Sequence, residues 1–253
     1  KKKMFMCIAA IALVDLIGVP FSKKSGAASG PIVLQEKLNI KCLDINDDEN
    51  CVMKKVKEHV SSSYRNQNIP VCIGGDKSIA LGTTCGVSSQ CPSILWISSD
   101  IDFNNGTPLS FISGAKNKIY KDLCDIPYSN DRIHIFGIDK CSNEDALLSS
   151  NMSFTSMSSI KFHGMNYSIR KVLEKMQHKV HLIFDVHVIN SEYCPGVDRK
   201  SNNGFDLEEL DILLSMLRES GKIRSMDIVE FNPNNDYEDR TANCINYMLE
   251  KLF

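Results

Sequence analysis

The sequence predicts an α/β protein built on a mostly parallel sheet with helices over both faces. Two observations carry this. Short apolar runs alternate along the chain with stretches of helical periodicity, and the runs are apolar throughout, as strands covered on both faces must be. In addition, four acidic clusters each follow such a run directly. They are Gly74-Gly75-Asp76-Lys77 after Ile69–Ile73, Ser98-Ser99-Asp100-Ile101-Asp102 after Ser93–Ile97, Phe184-Asp185-Val186-His187 after His181–Ile183, and Glu230-Phe231-Asn232-Pro233 after Met226–Val229. Open parallel sheets build their sites at the carboxyl ends of strands, so Asp76, Asp100, Asp102, Asp185, His187 and Glu230 are expected to wall one polar pocket. Lys77 is the discordant charge among them.

The elements follow in order. Ile11–Val19 reads as the first strand. Asn50–Tyr64 places Val52, Val56 and Val60 on one helical face. Gly74–Asp76 is a tight strand-to-helix turn, and Ser78–Thr84 begins the next helix. Ile133–Ile138 is a strand, and Asn166–His178 spaces Ile169, Val172, Leu173 and Met176 for a helix. Asp206 with Glu209 three residues on forms a capping box, and Gly221 ends that helix. Tyr237–Leu252 is a last helix with Ile245, Met248, Leu249 and Leu252 inward. Asn104–Ile119 and Asn190–Gly204 are long polar segments attached to the acidic clusters, and are expected to face a substrate. No repeat or linker divides the chain, so residues 1–253 are expected to form a single domain.

Composition narrows the function classes. The 253 residues suffice for one sizeable core, and a net charge of −2 gives no electrostatic case for nucleic acid or an anionic membrane as partner. Lys1–Lys3 followed by Met4–Leu13 has the basic and apolar parts of a signal peptide. Asp15 interrupts the apolar run, however, and no small-residue cleavage site follows, so a buried strand is the expectation. No run reaches the length of a membrane span. The 10 cysteines contain no C-x-x-C pair. Free buried thiols in an intracellular, reducing compartment, cytoplasmic or organellar, are the expectation. His134, His163, His178 and His181 lack ligand-like spacing, and Cys194 is a lone cysteine in a pocket-side loop without a placed base.

Five motifs in register then carry a resemblance. Pro20-Phe21-Ser22-Lys23, Gly74-Gly75-Asp76-Lys77-Ser78, Trp96 through Asn104, Phe184-Asp185-Val186-His187 and Asp227 through Pro233 have the order and spacing of the arginase–agmatinase–formiminoglutamase family, the ureohydrolases, from about Ile11 to Phe253. The resemblance implies a three-layer α/β/α arginase-like fold with a central mostly parallel sheet, usually assembled as a trimer or hexamer. It implies hydrolysis of a guanidino or formimino group by two Mn²⁺ ions bridging a hydroxide. The ligands in such enzymes are a His in Gly-Gly-Asp-His, an Asp-x-His-x-Asp triplet and an Asp-x-Asp pair. Carried over by position, these become Lys77, then Ser98, Asp100 and Asp102, then Asp185 and His187, so only Asp102 and Asp185 keep the family residue. The proton-shuttling His aligns with Asn117. Glu230, which in arginases faces the guanidinium, is retained, as is Asn104, which helps hold the amino-acid end. The position of an Arg that contributes to subunit contacts is Glu208.

Charge decides how these departures are read. A family-type ligand set carries −4 and balances two divalent cations, whereas the set here carries −2, or −1 with His187 protonated. An ammonium at Lys77 would also point into the first metal's volume, where like charges about 4 Å apart repel by several kcal/mol. Lys77 is therefore expected to be the built-in cation, bridging Asp102 and Asp185. No metal cofactor is expected, with a single weak site at Asp100, Asp185 and His187 as the alternative. The expected function is a binding, scaffolding or regulatory arginase-like pseudoenzyme, a homotrimer with room for a small cationic ligand at Glu230 and Asn104. Glu230 reads equally well as a structural acid held by Lys77. The alternative is a divergent C–N hydrolase, working through one metal or through Ser98 activated by Lys77. The second route needs a neutral lysine, which three neighbouring carboxylates oppose.

Overall fold

A computed structural model describes residues 13–23, 26–45, 48–89, 91, 93–115, 118–124, 128–176 and 179–253. The chain runs β1 (Val14–Val19), α1 (Gly30–Leu38), β2 (Lys41–Cys42), α2 (Glu49–Arg65), β3 (Ile69–Gly74), α3 (Ala80–Val87), β4 (Ser93–Ile97), β5 (Asp100–Ile101), α4 (Pro108–Ile112) and α5 (Lys118–Leu123). It continues β6 (Ile133–Ile138), β7 (Lys140–Cys141), α6 (Glu144–Ser149), β8 (Ser153–Ser156), α7 (Met157–His163), α8 (Met165–Lys175), β9 (Val180–Asp185), α9 (Leu207–Ser220), β10 (Ile223–Val229) and α10 (Arg240–Leu252). Eight strands form one parallel sheet in the order β2-β1-β3-β10-β9-β4-β6-β8, and β5 pairs with β7 beside it. The central strands β3, β9 and β4 are buried along almost their whole length, which is why they read as continuous apolar runs.

Two cores flank the sheet and make it three layers. On one face α1, α7, α8, α9 and α10 pack through residues such as Leu34, Ile160, Ile169, Leu213 and Ile245. On the other, α2, α3, α4 and α6 pack through Val56, Leu81, Leu109 and Leu147. No helix among the described residues is long and apolar enough to cross a membrane.

Several boundaries differ from the sequence reading, each for a local reason. The first strand begins at Val14, and the basic, apolar stretch before Leu13 lies outside the described residues. After β3 the chain makes a short 3₁₀ turn over Lys77–Ile79, capped by Asp76, before α3 begins at Ala80. The helix read as Asn166–His178 spans Met165–Lys175. The last helix starts at Arg240 rather than Tyr237, because Glu238 and Asp239 take left-handed φ values of 54° and 56°. Asp236 then caps it from outside, accepting from Thr241 N at 2.9 Å and Ala242 N at 3.1 Å. Leu249 packs against the core as expected, though only half-buried. The segment Asn104–Ile119 is not a plain loop, since it contains α4 and the start of α5.

The cysteine expectation is corrected. Cys85 of α3 and Cys124 just after α5 are joined in a disulfide, with Cα atoms 5.3 Å apart across 39 residues of sequence. Packing of α5 on α3 creates that proximity, and no spacing rule reveals it. The cysteine set therefore no longer argues for a reducing compartment. Cys42, Cys51, Cys72, Cys91, Cys141, Cys194 and Cys244 are free. Cys194 is fully buried, and a hydrogen bond with Cys244, together with burial, pushes its thiol far above the usual range.

Candidate functional site

Strand register builds the site. Val19 pairs with Gly74, Ile73 with Ile228, Val229 with Asp185, and Ile97 with Phe184. The carboxyl ends of five neighbouring strands thus stop at one level, and the residues just beyond them meet. The resulting cavity, of about 490 Å³, is lined by Asp76, Lys77, Asp100, Asp102, Asp185, His187 and Glu230. Lys23, Gly106 through Leu109, and Val197 through Arg199 complete the wall, so both long polar segments face it. Pockets of this size hold small molecules.

Each polar residue is placed by its own backbone. Asp76 accepts from Ser78 N at 2.8 Å, from Ser22 Oγ at 3.0 Å and from Lys23 N at 2.6 Å, tying the turn after β3 to the loop after β1. Gly75 is required there, because a Cβ would overlap the Phe21 carbonyl oxygen. Lys77 leaves this turn pointing inward. Its Nζ lies 2.8 Å from Asp185 Oδ2 and donates to the Asp100 carbonyl oxygen at 3.0 Å. Burial works against the ammonium, but Asp185 and Glu230 outweigh it and hold Lys77 above the usual lysine range. The lysine is charged and paired.

Asp185 ends β9 with no solvent exposure. Its Oδ1 accepts from His187 N at 2.9 Å, and its Oδ2 accepts from Ser98 Oγ at 2.6 Å besides meeting Lys77. Burial would raise its carboxyl, yet Lys77 and these hydrogen bonds keep it below the usual carboxylate range. Ser98 is fully buried behind the wall. Its proton is committed to Asp185, so a Ser98 nucleophile activated by Lys77 has neither a free hydroxyl nor a neutral base.

The expected Lys77–Asp102 contact is absent, which corrects that part of the sequence reading. The β5–β7 pairing sets Ser142 beside Asp102, and Oδ1 accepts from Ser142 Oγ at 2.8 Å, Asn104 N at 3.2 Å and Asn104 Nδ2 at 2.9 Å. Those bonds, against partial burial, hold the Asp102 carboxyl low. Lys77 takes the Asp100 carbonyl as its second acceptor instead. The Asn104 side chain is turned onto Asp102. Asn117 lies outside the described residues.

The Asp100 carboxylate is paired with the Arg199 guanidinium, which reaches in from the Pro195–Gly204 loop. Sequence reasoning did not single out Arg199, although the pocket's residual negative charge called for a second cation. Burial keeps the His187 imidazole below its ordinary range, hence neutral, with Nδ1 3.4 Å from Ser99 Oγ. Glu230 sits at a left-handed φ of 71°, its own N–H donating to the Gly75 carbonyl at 2.7 Å. One carboxylate oxygen accepts from Lys77 N at 3.3 Å. Burial pushes this carboxyl up to about 7, with Lys77 pulling the other way. His181 and His134 belong to the core: His181 bonds Ser225 and Asp227, and His134 bonds Thr155.

Comparison with known proteins places this geometry. The family model described as "Arginase family" matches residues 12–253. The arginase of Staphylococcus aureus (strain MRSA252) is 25% identical over 281 residues, covering 90% of this chain and 93% of its own. Among solved structures, arginase from Bacillus cereus superposes with a TM-score of 0.86 at 22% identity, covering 96% of this chain and 98% of that one. Formimidoylglutamase from Bacillus subtilis superposes with a TM-score of 0.81 at 18% identity, covering 96% and 86%. The parallel sheet and its layers are thus those of a known architecture, and the chain belongs to the arginase family.

Proposed function

We propose that this arginase-family chain has replaced the family's two-manganese cluster with protein cations and serves as a binding protein that does not hydrolyse arginine. The observation that carries the reading is the Lys77 ammonium, 2.8 Å from Asp185 Oδ2 at the position where the family pattern has a histidine ligand. The donor set does not suit two Mn²⁺ ions. Ser98 gives its proton to Asp185, Arg199 takes the Asp100 carboxylate, and Ser142 with Asn104 takes Asp102. Among the described residues no three His, Cys, Asp or Glu side chains are grouped as a metal-holding set, which also weighs against a single site at Asp100, Asp185 and His187. Without a metal to acidify it, water with a bulk pKa near 16 supplies little hydroxide at neutral pH.

A second reading, a C–N hydrolase of the ureohydrolase type, is favoured by the relatives, which are themselves arginases. Urea release from arginine with Mn²⁺ supplied separates the two. The expected result is a rate no higher than that of Asp185→Asn. Turnover in the wild type that Asp185→Asn abolishes would establish the hydrolase.

A further inference from the structure

Arg199 differs from Lys77 in how it is held. Its backbone neighbours are fixed on both sides: Gly196 N donates to Thr241 Oγ1 at 2.8 Å, Asn232 Nδ2 to Asp198 Oδ1 at 2.5 Å, and Ser201 N to Ser191 Oγ at 2.7 Å. The Arg199 side chain is 75% exposed, while that of Asp100 is 17% exposed. An ion pair with so exposed a member adds little stability. The guanidinium can therefore leave Asp100 by rotating its own side-chain bonds, a fast local motion that needs no loop opening.

The rest of the lining also suits an occupant other than Arg199. Trp96 lines the same cavity and is 1% exposed, and its indole N–H has no acceptor among the described residues. Buried indole donors ordinarily have a partner. Ile101, Pro108, Leu109 and Val197 give the wall an apolar stretch. A small molecule with a cationic head and a short apolar body would satisfy Asp100 and that stretch together.

We propose that Arg199 is a tethered occupant of the cavity, standing where the cationic head of a small organic ligand binds and displaced from Asp100 when that ligand enters. This rests on the metal-free reading of the pocket and adds its regulation. A cation on a short tether competes at an effective concentration in the millimolar range. It lowers the apparent affinity of a free cation by the fraction of molecules in which Asp100 is open. An open fraction of roughly one in ten would weaken binding about tenfold. Lys77 does not compete in this way, because its ammonium is locked on a fully buried carboxylate.

The test titrates methylguanidinium into chelator-treated protein by calorimetry, with the fluorescence of Trp96, the chain's only tryptophan, reporting that binding is in this cavity. Arg199→Gln is expected to bind about tenfold more tightly than the wild type, whereas Arg199→Lys, which keeps the charge, stays near the wild type. Adding Asp100→Asn to Arg199→Gln is expected to cancel the gain. The proposal is overturned if Arg199→Gln binds no tighter than the wild type, if neither protein binds, or if the gain survives Asp100→Asn. A gain that appears only after Mn²⁺ is restored supports the tether and overturns the metal-free reading, so the two fail separately.

Discussion

Replacing Lys77 with methionine is expected to destabilise the protein by about 3–5 kcal/mol, the usual result of stripping a buried ion pair of one partner. Methionine keeps the length and apolar stem of the side chain, so the change isolates the charge. Asp185 would retain Ser98 Oγ and His187 N as donors but lose its cation while fully buried. For a chain of this size the loss corresponds to a fall in Tm of roughly 6–20 °C. Adding Asp185→Asn should recover most of it, because the uncompensated charge is then gone. The double-mutant cycle reports the pair itself. In Lys77→Met alone, the Asp185 carboxyl is left without the cation that keeps it low, so its folded pKa rises above the unfolded value. Stability of that variant should then increase as the pH is lowered, opposite to the wild-type contribution of this residue. A loss of less than about 1 kcal/mol, the scale of an exposed ion pair, would mean that Lys77 is not the buried counter-ion described here.

Glu230→Gln is expected to change the pH dependence of stability. Burial raises the folded carboxyl from 4.5 to about 7. A raised carboxyl means that the folded state holds its proton longer than the unfolded chain does. Its contribution is therefore fully present below the unfolded value near 4.5 and is lost as pH rises through about 7. A shift of that size is worth up to about 3 kcal/mol. The wild type minus Glu230→Gln difference should fall across this window, leaving the glutamine variant the more stable protein at pH 8. Titrating groups remote from the pocket are common to both proteins and cancel in the difference. A difference that stays constant between pH 4.5 and 7, measured by urea denaturation at fixed ionic strength, would show that the carboxyl is not desolvated in the fold.

The central strands, the capping box at Asp206 and the gathering of acids at one edge were legible because each rests on local pattern. A fully buried parallel strand must be apolar, and whatever follows it must lie at the sheet's edge. The Lys77–Asp185 pair was legible for a related reason. The turn after β3 and the end of β9 flank β10, and the family pattern already set both positions in one site. The partner of Asp102 was not legible, because Ser142 reaches it only through the two-residue β5–β7 pairing, which carries no periodic signal. Arg199 was hidden in a loop whose path depends on Asn232, Asn235 and Thr241, far along the chain. The Cys85–Cys124 disulfide depends on α5 docking against α3. The late start of α10 depends on two left-handed residues that sequence does not mark as such.

Manganese content per chain tests the central claim most directly. Wild-type protein equilibrated with excess Mn²⁺, desalted and measured by elemental analysis should retain almost none, because the carboxylates that would hold the ions are already engaged by Lys77, Arg199 and Ser142. Retention near one ion per chain would place a mononuclear centre at Asp100, Asp185 and His187. Retention near two would contradict the account, since Lys77 would then have to yield its place to a metal.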